Sequence, residues 1–501
     1  MFAITVSEQR SVPLREHLLA LKPCLHGGLI QETSETYGIP ESEILDFSAN
    51  FNPLGNPFEH PESGLNFDDI LKKSLEKLME YPDNRYPDFR EAAARFVGLG
   101  VAPQNIIPGN GSTEIVRLVV ECVVEKGDTV LLPWPTFGEY EMQCRVMGAK
   151  PEYPRQDEVK TLPDEMLEKA KILFICNPNN PTGKLRTREE IKALAERCKK
   201  HKTLLFVDEA FIELSDPAQS VADLATNNNY VFVMRSLTKD FAIPGIRMGF
   251  GIASPEMAEI LNTARLSWNL GTVANTIATS LLNIEGGMDN PYLKKARAVI
   301  REEGEKLKAK LNGIRGFEAG EVNVNFIFVD ISKFILDSSE LSARMAARGI
   351  LIRDCISFHG LGKDYIRVAV RSAEENDRLI AAIGDVITQW GREQAKNELQ
   401  HVIEKASEEG IGGRKTCEYY PCHFEGQNCT FCFCPFYPCE DERTGGKWIQ
   451  SSRGGRVWSC VDCHLVHKKE IAQKILDCLM QEGDTDELVK VAWKKVMEPI
   501  L

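Results

Sequence analysis

Residues 236–250 read SLTKDFAIPGIRMGF and follow the apolar run YVFVM, which sets Lys239 just past the end of an expected buried strand. A lysine so placed can form a Schiff base with an aldehyde cofactor, while Ser236, Thr238 and Arg247 can hold that cofactor's phosphate. Taken alone, such a lysine is more often a solvated surface charge. Three further motifs change that balance. PGNGSTE, at 108–114, lies between an expected strand and an expected helix, so Gly111, Ser112 and Thr113 can offer backbone N–H groups and a hydroxyl to a phosphate at the helix N-terminus. VDEAF, at 207–211, ends an apolar strand with Asp208, a carboxylate able to pair with a protonated pyridine nitrogen; in isolation it would serve equally as a helix cap. CNPNNPTG, at 176–183, is a Pro-rich turn whose Asn180 can hydrogen-bond a ring oxygen, the alternative being a plain strand terminator. Phe137, in PWPTFGEY, can stack on the ring, although core packing is the default for such a residue.

The elements that must carry these residues are legible as short apolar runs, NIIPG, TVLLPW, KILFIC, TLLFVDEA and YVFVMRS, alternating with helical segments between about 100 and 250. Runs apolar on both faces read as buried parallel strands with crossover helices, an α/β domain. From 276 to 390 a long helical stretch, the alternating strand VNVNFIFVDI, a helix, ILIRDC and YIRVAVR suit a smaller α+β domain. The division expected is an N-terminal segment (1–55) joining the small domain, a large domain (56–275), the small domain (276–390), a linker (391–416) that reads as a charged helix followed by a Gly-rich hinge, and a Cys-rich domain (417–501).

Composition narrows the function classes. With 60 basic and 73 acidic residues the formal charge is −13, which disfavours a general nucleic-acid binder and an anionic membrane surface. No apolar run approaches the roughly 18 residues of a membrane span. Glu8, Arg10, Arg15 and Glu16 interrupt the N-terminal apolar stretches, so no signal-peptide core forms and a cytoplasmic protein is expected.

In this order and at these separations the motifs resemble the fold-type I pyridoxal-phosphate enzymes, the aspartate aminotransferase superfamily, over roughly residues 20–390. The resemblance implies the aminotransferase-like fold, pyridoxal 5'-phosphate as cofactor, and a homodimer in which Tyr81 of YPDNRY reaches the partner's cofactor phosphate. Within the superfamily, HGG at 26–28, DFSANFNPLG at 46–55 and ILIRDCISFHGLGKDYIRVAVRS at 350–372 look like the threonine-phosphate decarboxylases of cobalamin biosynthesis, with Phe51 where Ile is common. Histidinol-phosphate aminotransferases are the near alternative, and a non-catalytic sensor on the same fold is the alternative of another class. A phosphorylated amino acid brings a dianion and a carboxylate, so it needs at least two fixed cations, for which Arg offers bidentate geometry. By resemblance, His26, Asn50 and Arg353 meet the substrate phosphate, and Arg367, with Asn180 nearby, meets the carboxylate. Phe211 stands where aminotransferases commonly carry a Tyr whose hydroxyl bonds the cofactor.

Of 15 cysteines, nine fall between Cys417 and Cys478, a clustering that points to metal rather than a disulfide scaffold. The candidate ligands are Cys417, Cys422, Cys429, Cys432, Cys434, Cys439, Cys460 and Cys463, with His423, His464 and His467 beside them. Two C-x2-C pairs far apart in sequence favour tetrahedral zinc, and the C-x2-C-x-C run at 429–434 keeps an iron–sulfur cluster open. Cys478 sits at a helical core position. The segment resembles small cysteine-rich, metal-binding domains fused to cobalamin-pathway enzymes.

Overall fold

A strand with no polar side chain on either face needs cover on both, and the large sheet meets that demand by alternation along each strand. In the computed structural model, which describes residues 15–25, 27–413, 417, 419–450 and 456–501, the short strand β1 (Leu45–Asp46) precedes a seven-stranded sheet. Its members are β2 (Ile106–Gly109), β3 (Thr129–Leu131), β4 (Lys150–Glu152), β5 (Ala170–Cys176), β6 (Leu204–Asp208), β7 (Val231–Ser236) and β8 (Gly249–Ile252), in the order β2-β8-β7-β6-β5-β3-β4. Leu173, Ile175, Leu205, Val207, Val231 and Val233 feed one apolar cluster. Their neighbours Ile172, Phe174, Leu204, Phe206, Phe232 and Met234 feed another on the opposite face. The strands from β4 to β7 run parallel, whereas β8 is antiparallel to both β2 and β7. An all-parallel reading therefore holds except at β8, which comes straight back from the Lys239 loop.

A second sheet is antiparallel, β12-β13-β10-β9, built from β9 (Glu318–Ala319), β10 (Phe326–Asp330), β12 (Arg353–Asp354) and β13 (Tyr365–Ala369). The N-terminal segment joins it: β1 pairs in parallel with β11 (Ile350–Leu351), and Ala369 N donates to Phe47 O at 2.8 Å.

The chain divides into two compact units, residues 1–312 with 316–378, and 313–315 with 379–501. Here one expectation needs correction. Residues 391–409 are helical, as expected, but they are no linker: they end a longer helix, Ala373–Glu409, that helps to build a core. Leu399, Val402 and Ala406, spaced by three and four residues, join Phe431, Phe436, Ile475, Leu476 and Leu479 in the core of the second unit. The polar composition that suggested a linker belongs to the helix's outer face. The unit also contains the hairpin β14 (Lys447–Gln450) and β15 (Arg456–Ser459) and the helices Lys469–Leu479 and Thr485–Ala492.

Phe431 is fully buried in this small core. Phe431→Ala should cost about 3–5 kcal/mol, enough to unfold a unit of this size while leaving the larger one intact. Limited proteolysis should cut the variant first between 379 and 501; simultaneous loss of both units would contradict independent cores.

Candidate active site

Strand ends and the turns after them deliver chemistry to one cavity of about 540 Å³. At one end lie Ser112, Thr113, Ser236, Thr238 and Arg247. The helix Ser112–Val123 begins there, so its first N–H groups add to the donors. Gly111 is required by shape: its φ is +82°, and a Cβ on it would lie 2.7 Å from Arg247 Nη2. Arg247 itself has a left-handed backbone, uncommon for a side chain of its size. Donors gathered in this way could hold a phosphate.

Asp208, at the C-terminal end of β6, is buried and lines the same cavity with Phe137, Asn180 and Phe211. Tyr140 Oη donates to its Oδ2, and Ala210 N donates to Oδ1 at 2.9 Å. Burial pushes the Asp208 carboxyl up to about 6 despite these bonds. A protonated ring nitrogen set against it would supply the missing countercharge. Phe211 packs edge-on to Phe326, with ring centroids 5.2 Å apart, and offers no hydroxyl.

Lys239 is held from behind by the N-terminal segment. Asn52 N donates to Lys239 O at 3.0 Å, and Asn52 Nδ2 donates to Asp240 O at 2.8 Å. Burial, reinforced by the Arg367 and Arg247 charges, lowers the lysine ammonium to about 8. The amine lies 4.6 Å from the centre of the Phe51 ring.

Arg353 and Arg367 are direct partners across the antiparallel β12–β13 pair, so they share a face. Both line the cavity. Arg367 donates to Asn180 Oδ1 and to Ser48 O, the latter at 2.7 Å, and the Asn50 amide oxygen accepts from its Nη1 at 3.1 Å. Arg353 donates to Leu25 O at 2.8 Å and to Ser357 Oγ at 2.6 Å. Neutral groups thus hold both cations. Burial and the neighbouring Arg353 bring the Arg367 guanidinium down to about 10.

The expected residues therefore converge, with two exceptions. His26 lies outside the described residues, although Leu25 and Gly27 on either side of it border the cavity. Tyr81 is 82% exposed and stacks at 4.7 Å on Trp268, away from this cavity. Sequence reasoning missed Tyr140, the partner of Asp208, and Phe51 as the ring over Lys239. The first carried no motif; the second was visible only as a departure from the usual Ile.

In the second unit each C-x2-C closes a tight turn, Cys432 N to Cys429 O at 3.2 Å and Cys463 N to Cys460 O at 3.0 Å. Gln427 Nε2 donates to Cys422 Sγ at 3.1 Å and to Cys429 Sγ at 3.5 Å, and His423 Nδ1 is 3.1 Å from Cys422 Sγ. The His423 ring stands 4.2 Å from that of His467 and 5.1 Å from that of His464. Cys434 is within electrostatic reach of Cys439, Cys460 and Cys463. A cavity of about 290 Å³ is bordered by Cys432, Cys434, Cys460, Cys463, His423 and His467. Cys417 is exposed. Among the described residues, no group of three or more His, Cys, Asp or Glu side chains is gathered in a way that would hold a metal ion.

An amine lowered to about 8 is half neutral at that pH, and only the neutral form attacks an aldehyde. Cofactor-depleted protein given pyridoxal phosphate should therefore regain its visible absorption at a rate that rises with pH and levels off just above 8. An ordinary lysine would level off beyond 10. Lys239→Ala should show no lysine-bound absorption at any pH.

Comparison with known proteins agrees with this geometry. Residues 42–383 match the family Aminotransferase class I and II, and residues 409–490 match the Cysteine-rich small domain. A histidinol-phosphate aminotransferase of Methanothermobacter thermautotrophicus is 28% identical over 382 residues, covering 75% of this chain and 98% of that protein. The structure of the Sinorhizobium meliloti histidinol-phosphate aminotransferase in complex with pyridoxal-5'-phosphate superposes with a TM-score of 0.64 at 22% identity, over 77% of this chain and 99% of that one. That of the L-threonine-O-3-phosphate decarboxylase from Porphyromonas gingivalis gives 0.60 at 21%, over 69% and 100%. At such identities the two structures speak for the fold. Because the family match runs through every segment of the cavity from Asp46 to Arg367, this chain belongs to the class I and II aminotransferases, pyridoxal-phosphate enzymes of fold-type I, and carries a cysteine-rich small domain behind its catalytic part.

Proposed function

We propose that the chain decarboxylates L-threonine O-3-phosphate, giving 1-amino-2-propanol O-phosphate and CO2. The observation that carries this reading is the cross-strand pairing of Arg353 with Arg367 beside Lys239. Like charges directly opposite each other on a sheet are destabilising, and their juxtaposition is offset by a ligand that brings two anionic groups close together. Phosphothreonine carries carboxylate and phosphate on adjacent carbons. Histidinol phosphate carries a phosphate and no carboxylate, but the dicarboxylate keto acid of an aminotransferase would also meet two cations, so turnover without a keto acid is what separates the readings.

Pyridoxal phosphate, when bound, supplies an aldehyde for the substrate amine and a ring that accepts the electron pair released at Cα. The phosphate cup of Ser112, Thr113, Ser236, Thr238 and Arg247 would hold its phosphate, and Asp208 would hold its ring nitrogen protonated. Arg367, steadied by Asn180 and Asn50, orients the substrate carboxylate, and Arg353 engages the substrate phosphate, a role that the resemblance also gives to His26 and Asn50. Lys239 would hold the cofactor, and once displaced its ammonium, whose grip on the proton burial weakens to about 8, would return a proton to Cα. Phe51, Phe211 and Phe326 keep water from that carbon. Tyr81 and Trp268, exposed on their own subunit, suit a homodimer in which Tyr81 completes the partner's phosphate cup.

A second reading has its own support: the relatives by sequence, at 26–31% identity, carry the name histidinol-phosphate aminotransferase. The two separate on a keto acid. A decarboxylase turns over phosphothreonine and evolves CO2 in buffer alone; an aminotransferase needs 2-oxoglutarate or its equivalent. Turnover of histidinol phosphate with 2-oxoglutarate, and none of phosphothreonine, would overturn the first reading. Under the first reading Arg353→Ala should lower kcat/KM for phosphothreonine by roughly one to two decades, the worth of a charge-assisted anchor, and leave the lysine-bound absorption intact.

The cysteine-rich unit is read as a metal domain, zinc being favoured over an iron–sulfur cluster. Its thiols and imidazoles are soft-metal donors, and binding draws them in around the cavity they border. Metal analysis of anaerobically purified protein should find zinc, and a chelator should unfold residues 410–501 ahead of the catalytic part. Iron with sulfide would replace zinc in this reading, and absence of metal would remove it.

A further inference from the structure

Behind the cavity, four charged side chains that the chemistry above does not use meet in the interior. Glu209, Glu213, Arg235 and Asp240 are each at most 1% exposed. Three of them are chain neighbours of cofactor-site residues: Glu209 follows Asp208, Arg235 precedes Ser236, and Asp240 follows Lys239. Arg235 binds the Glu213 carboxylate through Nη1 and Glu209 Oε2 through Nη2, the latter at 2.9 Å. Glu209 also accepts from Val221 N at 2.7 Å and Ser220 Oγ at 2.9 Å.

Two oxygens of this cluster have no donor. No N–H or O–H among the described residues reaches Asp240 Oδ1 or Glu213 Oε2; within hydrogen-bond reach of Asp240 stands the Glu213 carboxyl itself. The charges around the pair come from every side. Arg235 comes from β7 and Glu209 from the turn after β6, while Arg297 and Tyr292 come from the helix Pro291–Asn312. Arg297 Nη1 donates to Glu213 O at 2.8 Å. Three carboxyls thus face Arg235 and Arg297, and Arg297 is also paired with Asp289 at 3.8 Å, so carboxyls outnumber guanidiniums around the pair. A buried carboxyl that faces another carboxyl and has an oxygen with no donor favours its protonated form.

We infer that Asp240 keeps a proton at neutral pH and directs it at the Glu213 side chain, and that with Arg235 and Glu209 they form a positioning network binding together the three segments that present Asp208, Ser236 and Lys239. Burial and the facing Glu213 push the Asp240 carboxyl well above its ordinary range, against the pull of Arg235 and Arg297. The retained proton has a purpose at the site. A full negative charge on Asp240 would favour the protonated form of Lys239 next to it in the chain, and the proton cancels that effect. The inference rests on the pyridoxal-phosphate reading but not on the choice of substrate.

The test is a pH titration of the lysine-bound visible absorption, with cofactor release measured alongside, in the full-length loaded protein. Asp240→Asn supplies a neutral side chain that donates to Glu213, so its titration should match wild type and its cofactor release should be unchanged. Asp240→Ala leaves Glu213 without that donor and should release cofactor about tenfold faster, a defect that the Asn variant does not share. Glu213→Gln lets Asp240 ionise and should move the titration to higher pH. A downward shift of about one unit in Asp240→Asn would show Asp240 charged in the wild type and overturn the retained proton. Equal release from the Ala and Asn variants would overturn the positioning role. A wild-type protein without lysine-dependent absorption would instead remove the cofactor reading on which the inference stands.

Discussion

Four cations, Lys239, Arg247, Arg353 and Arg367, line one cavity whose carboxylates are Asp46 and Asp208. Excess positive charge under low-dielectric walls is costly unless anions arrive to meet it. The fold answers in two ways. It gives Arg353 and Arg367 neutral hydrogen-bond acceptors rather than carboxylate partners, which leaves their charge for a ligand. It also buries Lys239, so the amine sheds its proton more readily than any exposed lysine. An anion-seeking cavity and a nucleophilic amine are thus two results of one electrostatic condition.

That condition depends on precise backbone placement, which comes from the sheets. Asp208 and Ser236 end parallel strands, and Lys239 sits in the single helical turn Leu237–Asp240 between β7 and the returning β8. Asn52 reaches in from the N-terminal segment to fix the backbone at 239 and 240. The same segment pairs with β11, two residues before Arg353. The strand that aims the substrate's cations and the segment that secures the lysine are therefore one assembly, and a shift in either moves both.

Much of the site was readable from the chain because its signals are local. Lys239 with its hydroxyls, the glycine turn at 109–111 and Asp208 at a strand end each occupy a few consecutive residues, and the order of strands and helices fixed the class of fold. What escaped is what only the folded chain brings together. The Arg353–Arg367 pairing is a matter of strand register, and the cluster of Glu209, Glu213, Arg235 and Asp240 is assembled from separate segments with no periodicity linking them. The helix over 391–409 was legible as a charged helix, but its place in the core of the second unit was not, because its charged face outnumbers a narrow apolar stripe. Leu399, Val402 and Ala406 were spaced to reveal it. The antiparallel β8 was hidden because its Gly-rich sequence carries little of the β-branched signal that marked the other strands.

The central claim is that adjacent guanidiniums hold a substrate with two anionic groups so that its carboxylate is the group lost. The most direct measurement is a single turnover, mixing loaded enzyme with one equivalent of phosphothreonine per site and no keto acid, while CO2 and visible absorption are followed together. The account predicts one CO2 per site and full return of the original absorption. Permanent loss of that absorption without CO2, the mark of an amino group transferred to the cofactor and left there, would contradict it.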